Sequence, residues 1–394
     1  MNRKTTKKFS PLLIQFQVLV FSSVVLLSCK ENNRPDKDLI PDNSGERIVQ
    51  NARGLEIIKH KDFTEILIKD PWQGARRITM KYIAVREGYS FPAGTKPDNV
   101  ITVPVRKIVC LSTTHAGMIS AIGQEESIKG MAGTQLIYSS SLSAKVSSGE
   151  LKEVGYESAL NQEMILKIDP DLVMIYGVGG ESSGHINKLK ELGIKIIYNG
   201  DYLEKDPLAR AEWIKLFGVL YDKEAIADCI YNSVSDNYRE LSEFIKTRID
   251  HKPSVLLGLP FKDTWFISPG NSFMNRLIED AGGNYIWRNT ESDLSMPYSL
   301  ENVYIKALNA DYWLNIGTVM QADEILVVDN RLKDLRCFRN GNMFNNNRRL
   351  NEAGGNDYWE SGSVRTDLIL RDIAVILHPE LFPQNELVYY QKIK

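Results

Sequence analysis

The stretch "KIVCLSTTH" sets three hydroxyls and an imidazole, Ser112, Thr113, Thr114 and His115, directly after an apolar run. A hydroxyl beside a histidine is the raw material of nucleophilic catalysis, which also needs a strained elbow such as GxSxG and a third group to orient the imidazole. Neither accompanies these residues, and neighbours in sequence do not readily adopt that geometry. An α/β hydrolytic enzyme is therefore the distant reading, and no catalytic residue is assigned. Metal chemistry has no better support: His60, His115, His185, His251 and His378 are scattered without a carboxylate pattern, and no CxxC or Cys/His spacing occurs. The chain is expected to need neither metal nor cofactor. Aromatic side chains are the richer signal. Tyr138, Tyr176, Phe261, Trp265, Phe266, Tyr298 and Trp359 stand on loops or near turns beside apolar runs. With Thr113, Thr114, His115 and Asp357 they make candidate ligand contacts for a flat molecule, because ring faces supply area and orientation together.

Such residues act together only if strands deliver them to one rim. From Arg106 onward "KIVCL", "IKGMAG", "DLVMIYG" and "KIIYNG" are continuous apolar runs ended by turn residues, the pattern of parallel strands covered on both faces. Ahead of them "LEIIKHKDFTEILIKDPW" and "RRITMKYIAVREG" alternate apolar and polar residues and predict an antiparallel hairpin. Helical spacing follows from Asp206 for about forty residues, with a soft break near Gly218. There Trp213, Ile214, Leu216 and Phe217 read as core. Asp222 is placed to cap a long amphipathic helix over 222–248, on which Ile226, Ile230, Val234, Tyr238, Leu241 and Ile245 recur. "PSVLLGLP", "TWFISPG" and "DYWLNIG" then restart the alternation. The predicted fold is α/β: two doubly wound lobes, 53–205 with its leading hairpin and 251–394, joined by linker helices over 206–250, with a ligand cleft between them. Doubly wound sheets carry their sites at the carboxyl ends of strands, which is what selects the candidates above. A Rossmann GxGxxG turn and eight regular barrel units are both missing.

The amino terminus carries Arg3, Lys4, Lys7 and Lys8 before an apolar run from Leu12 to Leu27, the layout of a secretory signal over 1–28. Leu26, Leu27, Ser28 and Cys29 resemble the lipobox of bacterial lipoproteins, which implies cleavage and lipidation at Cys29. Residues 29–52 are polar with Pro and Gly and read as a flexible tether. The mature chain is thus expected on the periplasmic side of a bacterial membrane, or at the cell surface, held through its lipid. Cys110, Cys229 and Cys337 read as buried thiols, with a Cys229 to Cys337 bridge as the open alternative. The 48 basic and 50 acidic residues nearly cancel, and without a basic stripe a nucleic-acid partner has no support.

"LNQEMILKIDPDLVMIYG" from Leu160 and "SLENVYIKALNADYWLNIG" from Ser299 say nearly the same thing: a cap, an acidic residue two places on, an apolar helix, an Asp turn and a strand. With "RKIVCLSTTHAGMISAIGQEESIKGMAG" and "ISPGNSFMNRLIEDAGGNYIW", these phrases resemble the class III (cluster A-II) substrate-binding proteins of ABC importers, which bind cobalamin, ferric siderophores or haem. The resemblance runs over about residues 100 to 390. It implies a monomer that captures ligand between its lobes and delivers it to a permease dimer, docking through one Glu on each lobe. The matching positions are Glu163 and Glu301, although a first-turn carboxylate is stabilised by the helix dipole with no partner at all. The second copy departs in spacing, since ten residues separate Glu301 from Asp311 and eight separate Glu163 from Asp171. In "GGNDYWESG" Asp357 matches an Asp of cobalamin binders, whereas Ser361 replaces their Arg. Arg348 or Arg349 is the candidate replacement charge for an anionic siderophore. The alternative function is a surface lipoprotein that scavenges corrinoid or haem for an outer-membrane receptor.

Overall fold

The computed structural model describes residues 45–177, 184–384 and 386–394. The signal stretch and Cys29 lie outside them. The described chain opens with β1 (Glu46–Arg47), β2 (Leu55–Lys59), β3 (Thr64–Lys69), β4 (Thr79–Arg86) and β5 (Val100–Val103), which form a five-stranded sheet in that order. Strands β1 to β4 pair antiparallel, and β5 runs parallel to β4. The expected hairpin is therefore one part of a larger sheet, whose alternating Leu55, Ile57, Ile66 and Ile68 share the core of the first lobe. Strand β5 has only four residues before Pro104, too few to give a clear alternating pattern, yet Val100, Ile101 and Val103 are buried. Part of the expected tether is also built in. The backbone N–H groups of Gln50, Asn51 and Ala52 donate to the buried Glu212 carboxylate at 2.9, 2.6 and 2.9 Å, so charge-assisted bonds dock this segment onto the linker helices.

The first lobe runs β6 (Ile108–Cys110), α1 (Thr113–Ala121), β7 (Ile128–Met131), α2 (Ser140–Ser148), β8 (Lys152–Glu153), α3 (Gln162–Ile168), β9 (Leu172–Ile175), α4 (Gly184–Glu191) and β10 (Ile196–Tyr198). Its sheet is parallel throughout, in the order β10-β9-β6-β7-β8. Three helices follow: α5 (Pro207–Glu212), α6 (Ile214–Leu220) and α7 (Glu224–Lys246). At 23 residues α7 is about 34 Å long. It enters both cores, giving Ala227, Tyr231 and Val234 to the first and Tyr238 and Ile245 to the second. Trp213, Ile214, Leu216 and Phe217 are fully buried, as their spacing predicts.

Two details of the linker differ from expectation. Asp222 takes a left-handed conformation (φ 55°) and pairs with Arg86 instead of capping α7. Gly218 lies inside α6 and does not end it; a Cβ there would meet the Ala227 Cβ at 2.7 Å, so glycine lets α6 and α7 cross closely. That crossing turns Ala227 and Tyr231 inward and leaves Ile226 exposed.

The second lobe comprises β11 (Ser254–Leu257), β12 (Thr264–Ile267), α8 (Phe273–Asp280), β13 (Asn284–Tyr285), β14 (Met296–Ser299), α9 (Leu300–Ala307), β15 (Tyr312–Leu314), α10 (Ala322–Val328), α11 (Arg336–Arg339), β16 (Met343–Asn345), α12 (Thr366–Leu377) and β17 (Gln391–Lys392). Its main sheet has the order β13-β11-β15-β16-β17, with only β17 antiparallel, while β12 and β14 form a separate antiparallel ribbon. Cys110 and Cys337 are buried free thiols, so the Cys229 to Cys337 bridge is not formed.

The repeated phrase is a repeated piece of geometry. Asn161 and Ser299 cap α3 and α9 by accepting from the backbone N–H of Met164 (2.9 Å) and Asn302 (3.3 Å). Each following Asp clips the entry to the adjacent strand. Asp171 accepts from the backbone N–H groups of Arg106 and Lys107, both at 2.8 Å, and Asp311 accepts from Ser254 N–H at 2.8 Å and its hydroxyl at 2.6 Å. The two extra residues in the second copy are one more in the helix and one more in the turn after it.

Candidate functional site

Strand pleating decides which aromatic residues reach a ligand. Along β12 Trp265 and Ile267 point into the second core, and the Trp265 indole donates to Leu257 O at 3.0 Å beside Trp313. Phe266, one residue on, is 56% exposed on the opposite face. Phe266 and Trp359 both line a cavity of about 590 Å³ at the carboxyl ends of β11, β15 and β16. Leu136 of the first lobe closes one side, so the cavity lies between the lobes. Met274, Met320, Asn315, Asn346, Asn347 and Asn356 line it as well. Sequence reasoning missed these six. The signal was the Asn run in "MFNNNRR" and the Asn of "DYWLNIG", both at carboxyl ends of strands.

None of the other expected ligand residues lines this cavity. Trp265 is core, as above. Asp357 is only 3% exposed and faces Arg349 at 3.0 Å, so the charge proposed for an anionic siderophore is neutralised within the chain. Arg349 also lies over the Tyr138 ring at 5.2 Å, and Arg348 faces Glu386 at 4.0 Å. Tyr298 pairs with Trp265 across the ribbon and packs against Trp287. Phe261 is exposed away from the cavity. Thr113 and Tyr176 are half-buried on the first lobe, with Tyr176 edge-on to Tyr202.

A cross-lobe clamp accounts for Thr114 and Tyr138. The segment 349–363 of the second lobe runs beneath α1 and α2 of the first. The Glu360 carboxylate accepts from the backbone N–H groups of Tyr138 (2.8 Å) and Ser139 (3.0 Å). The Thr114 hydroxyl donates to Trp359 O at 3.1 Å, and the Asn351 amide donates to Gln135 O and Ile137 O, both at 2.8 Å. Burial pushes the Glu360 carboxyl above its ordinary range despite those two donors. Trp359 is thus held at the cavity by its own carbonyl and by its neighbour Glu360.

His115 is fully buried, edge-on to Tyr176, with neither ring nitrogen hydrogen-bonded among the described residues. Burial lowers its pKa from 6.5 to about 3, so the folded ring stays neutral. The unfolded chain takes up a proton near pH 6.5 and the folded chain does not until about 3. The group therefore contributes stability that is complete above 6.5 and is lost as pH falls toward 3, at about 1.4 kcal/mol per pH unit. We expect His115→Leu to remove this share of the acid sensitivity. Denaturant unfolding at about pH 7 and about pH 5 should show the wild-type chain losing on the order of 2 kcal/mol more than the variant; equal losses would contradict it.

Two α/β lobes bridged by a long helix, with a cavity between them, are the architecture on which the comparisons with known proteins bear. The chain belongs to the periplasmic binding protein family, whose model matches residues 108–344. Its relatives include an uncharacterized lipoprotein of Methanocaldococcus jannaschii, 28% identical over 74% of this chain and 70% of that one. A second uncharacterized lipoprotein of the same organism is 24% identical over 89% and 88%. The fold matches a periplasmic binding protein from Veillonella parvula (TM-score 0.58, 13% identity, 84% of this chain and 97% of that chain). It also matches a periplasmic heme binding protein from Pseudomonas aeruginosa (TM-score 0.55, 15% identity, 74% and 98%). The family to which the chain belongs is one of binding proteins. The expected two-lobed α/β architecture is met.

Proposed function

We propose that this protein is lipid-anchored at Cys29 on the periplasmic side of the membrane, captures a ferric siderophore, haem or cobalamin as a monomer, and delivers it to an ABC permease dimer. The observation that carries the reading is the exposed pair Phe266 and Trp359, from two different segments of the second lobe, turned to one cavity at the carboxyl ends of its strands. Names of similar proteins agree with it: one relative in fold is a heme binding protein, and another belongs to an Fe3+-hydroxamate transport system. Glu163 and Glu301 are exposed in the first turns of α3 and α9 and serve as the docking charges on the two lobes.

The test is a titration of tryptophan fluorescence with cobalamin, haem and a panel of ferric siderophores, in which Trp359 is the reporter. One class of ligand is expected to bind. Phe266→Ala should weaken that binding about tenfold or more, as loss of a stacked ring does at a contact centre. Absence of binding by every ligand defeats the reading.

A further inference from the structure

We infer that the molecule held in the cavity carries no net charge. This rests on the capture reading above and narrows it. Among the described residues lining the cavity, none is ionisable: Phe266, Trp359, Met274 and Met320 supply apolar and polarisable contact, and asparagines supply the polar groups. Arg348 and Arg349 follow the lining residue Asn347 in sequence, but neither lines the cavity, and Arg349 is paired with the buried Asp357 at 3.0 Å. An anion entering here gives up its hydration and meets amide dipoles in place of a cation. Burying a charge without a partner is the costlier exchange by a wide margin. A cation fares no better, since no carboxylate lines the cavity among the described residues.

The amides are set in place by the fold. Asn356 donates to Asn346 O at 3.0 Å and accepts from Tyr358 N–H at 3.0 Å. Asn315 accepts from the Tyr390 hydroxyl at 2.8 Å. Each amide nitrogen carries two hydrogens; Asn356 gives one to Asn346 O and Asn315 gives one to the Met274 sulfur at 3.5 Å, so each has a second for a ligand carbonyl or hydroxyl. Preorganised amide donors beside aromatic faces suit an electroneutral chelate or macrocycle that bears amide or hydroxamate oxygens. Ferric trihydroxamates and cobalamin share that chemistry.

The probes are a neutral ferric trihydroxamate, cyanocobalamin, a ferric tris-catecholate and haem, titrated at low salt and at about 0.5 M salt. Binding of at least one neutral probe, at an affinity insensitive to salt and about 100-fold or more above either anionic probe, supports the inference. Preference between the two neutral probes separates hydroxamate from corrinoid. Equal or tighter binding of the tris-catecholate or haem overturns the inference and leaves the capture reading standing, whereas failure of all four probes overturns both. Met320→Lys brings a cation to the cavity and is expected to raise tris-catecholate affinity about tenfold. An unchanged tris-catecholate affinity in that variant argues that charge does not govern the site, which also counts against the inference.

Discussion

Reversing the charge of Glu163 and Glu301 together, by Glu163→Arg and Glu301→Arg, is expected to abolish ligand uptake by cells while the affinity of the purified protein stays the same. Both carboxylates stand in first turns of capped helices and neither lines the cavity, so ligand affinity is not expected to depend on them. The two are not equivalent. Glu301 is bonded by Arg331 at 3.3 Å, and Arg331 is itself held by Asp329 at 2.6 Å. Among the described residues Glu163 has no such partner. On the second lobe a permease cation must therefore displace Arg331, an exposed pair of the kind that contributes little and yields easily. The single Glu163→Arg change should then cost more uptake than Glu301→Arg. Parallel uptake and affinity measurements on both single variants and the double decide it; uptake that survives the double reversal sinks the docking assignment.

Local signals carry through to the structure, and signals that depend on contacts between distant residues do not. The caps Asn161 and Ser299 and the strands from "KIVCL" and "DLVMI" are legible because each is specified within a few residues. Trp265 and Phe266 show the limit. Adjacent strand residues face opposite sides, and only the pairing of β12 with β14 over the second core says which side is which. "GGNDYWESG" misleads for a related reason. Its Asp357 reads in sequence as facing a ligand, but that carboxylate is consumed by Arg349, and Glu360 by the backbone of the first lobe, partners that sequence proximity does not reveal. Asn346 and Asn347, just past β16, escape notice because that strand is three residues long and gives no apolar run to find.

The clamp that occupies those residues makes a second strong prediction. A Cβ on Gly117 would lie 2.1 Å from Glu360 O and 2.6 Å from its carbonyl carbon. Both are backbone atoms, so no side-chain rotation relieves the clash, and α1 must separate from the segment 357–361. Separation breaks the Glu360 bonds to Tyr138 and Ser139 and leaves a buried carboxylate without its donors, a loss of roughly 3 kcal/mol or more. It also withdraws the Thr114 hydroxyl from Trp359 O, so the indole loses its fixed place at the cavity. Gly117→Ala is therefore expected to lower the thermal midpoint by several degrees and to weaken ligand binding to about the level of Trp359→Ala. A control at Gly123 separates space from conformation, because that glycine has a left-handed φ of 69° and a Cβ added to it would meet nothing within 4 Å. Gly123→Ala should cost about 1 kcal/mol of stability through backbone strain alone and leave affinity intact. Calorimetry and ligand titration on the two variants test the coupling directly: if Gly117→Ala destabilises without loss of affinity, the clamp joins the lobes but does not position Trp359.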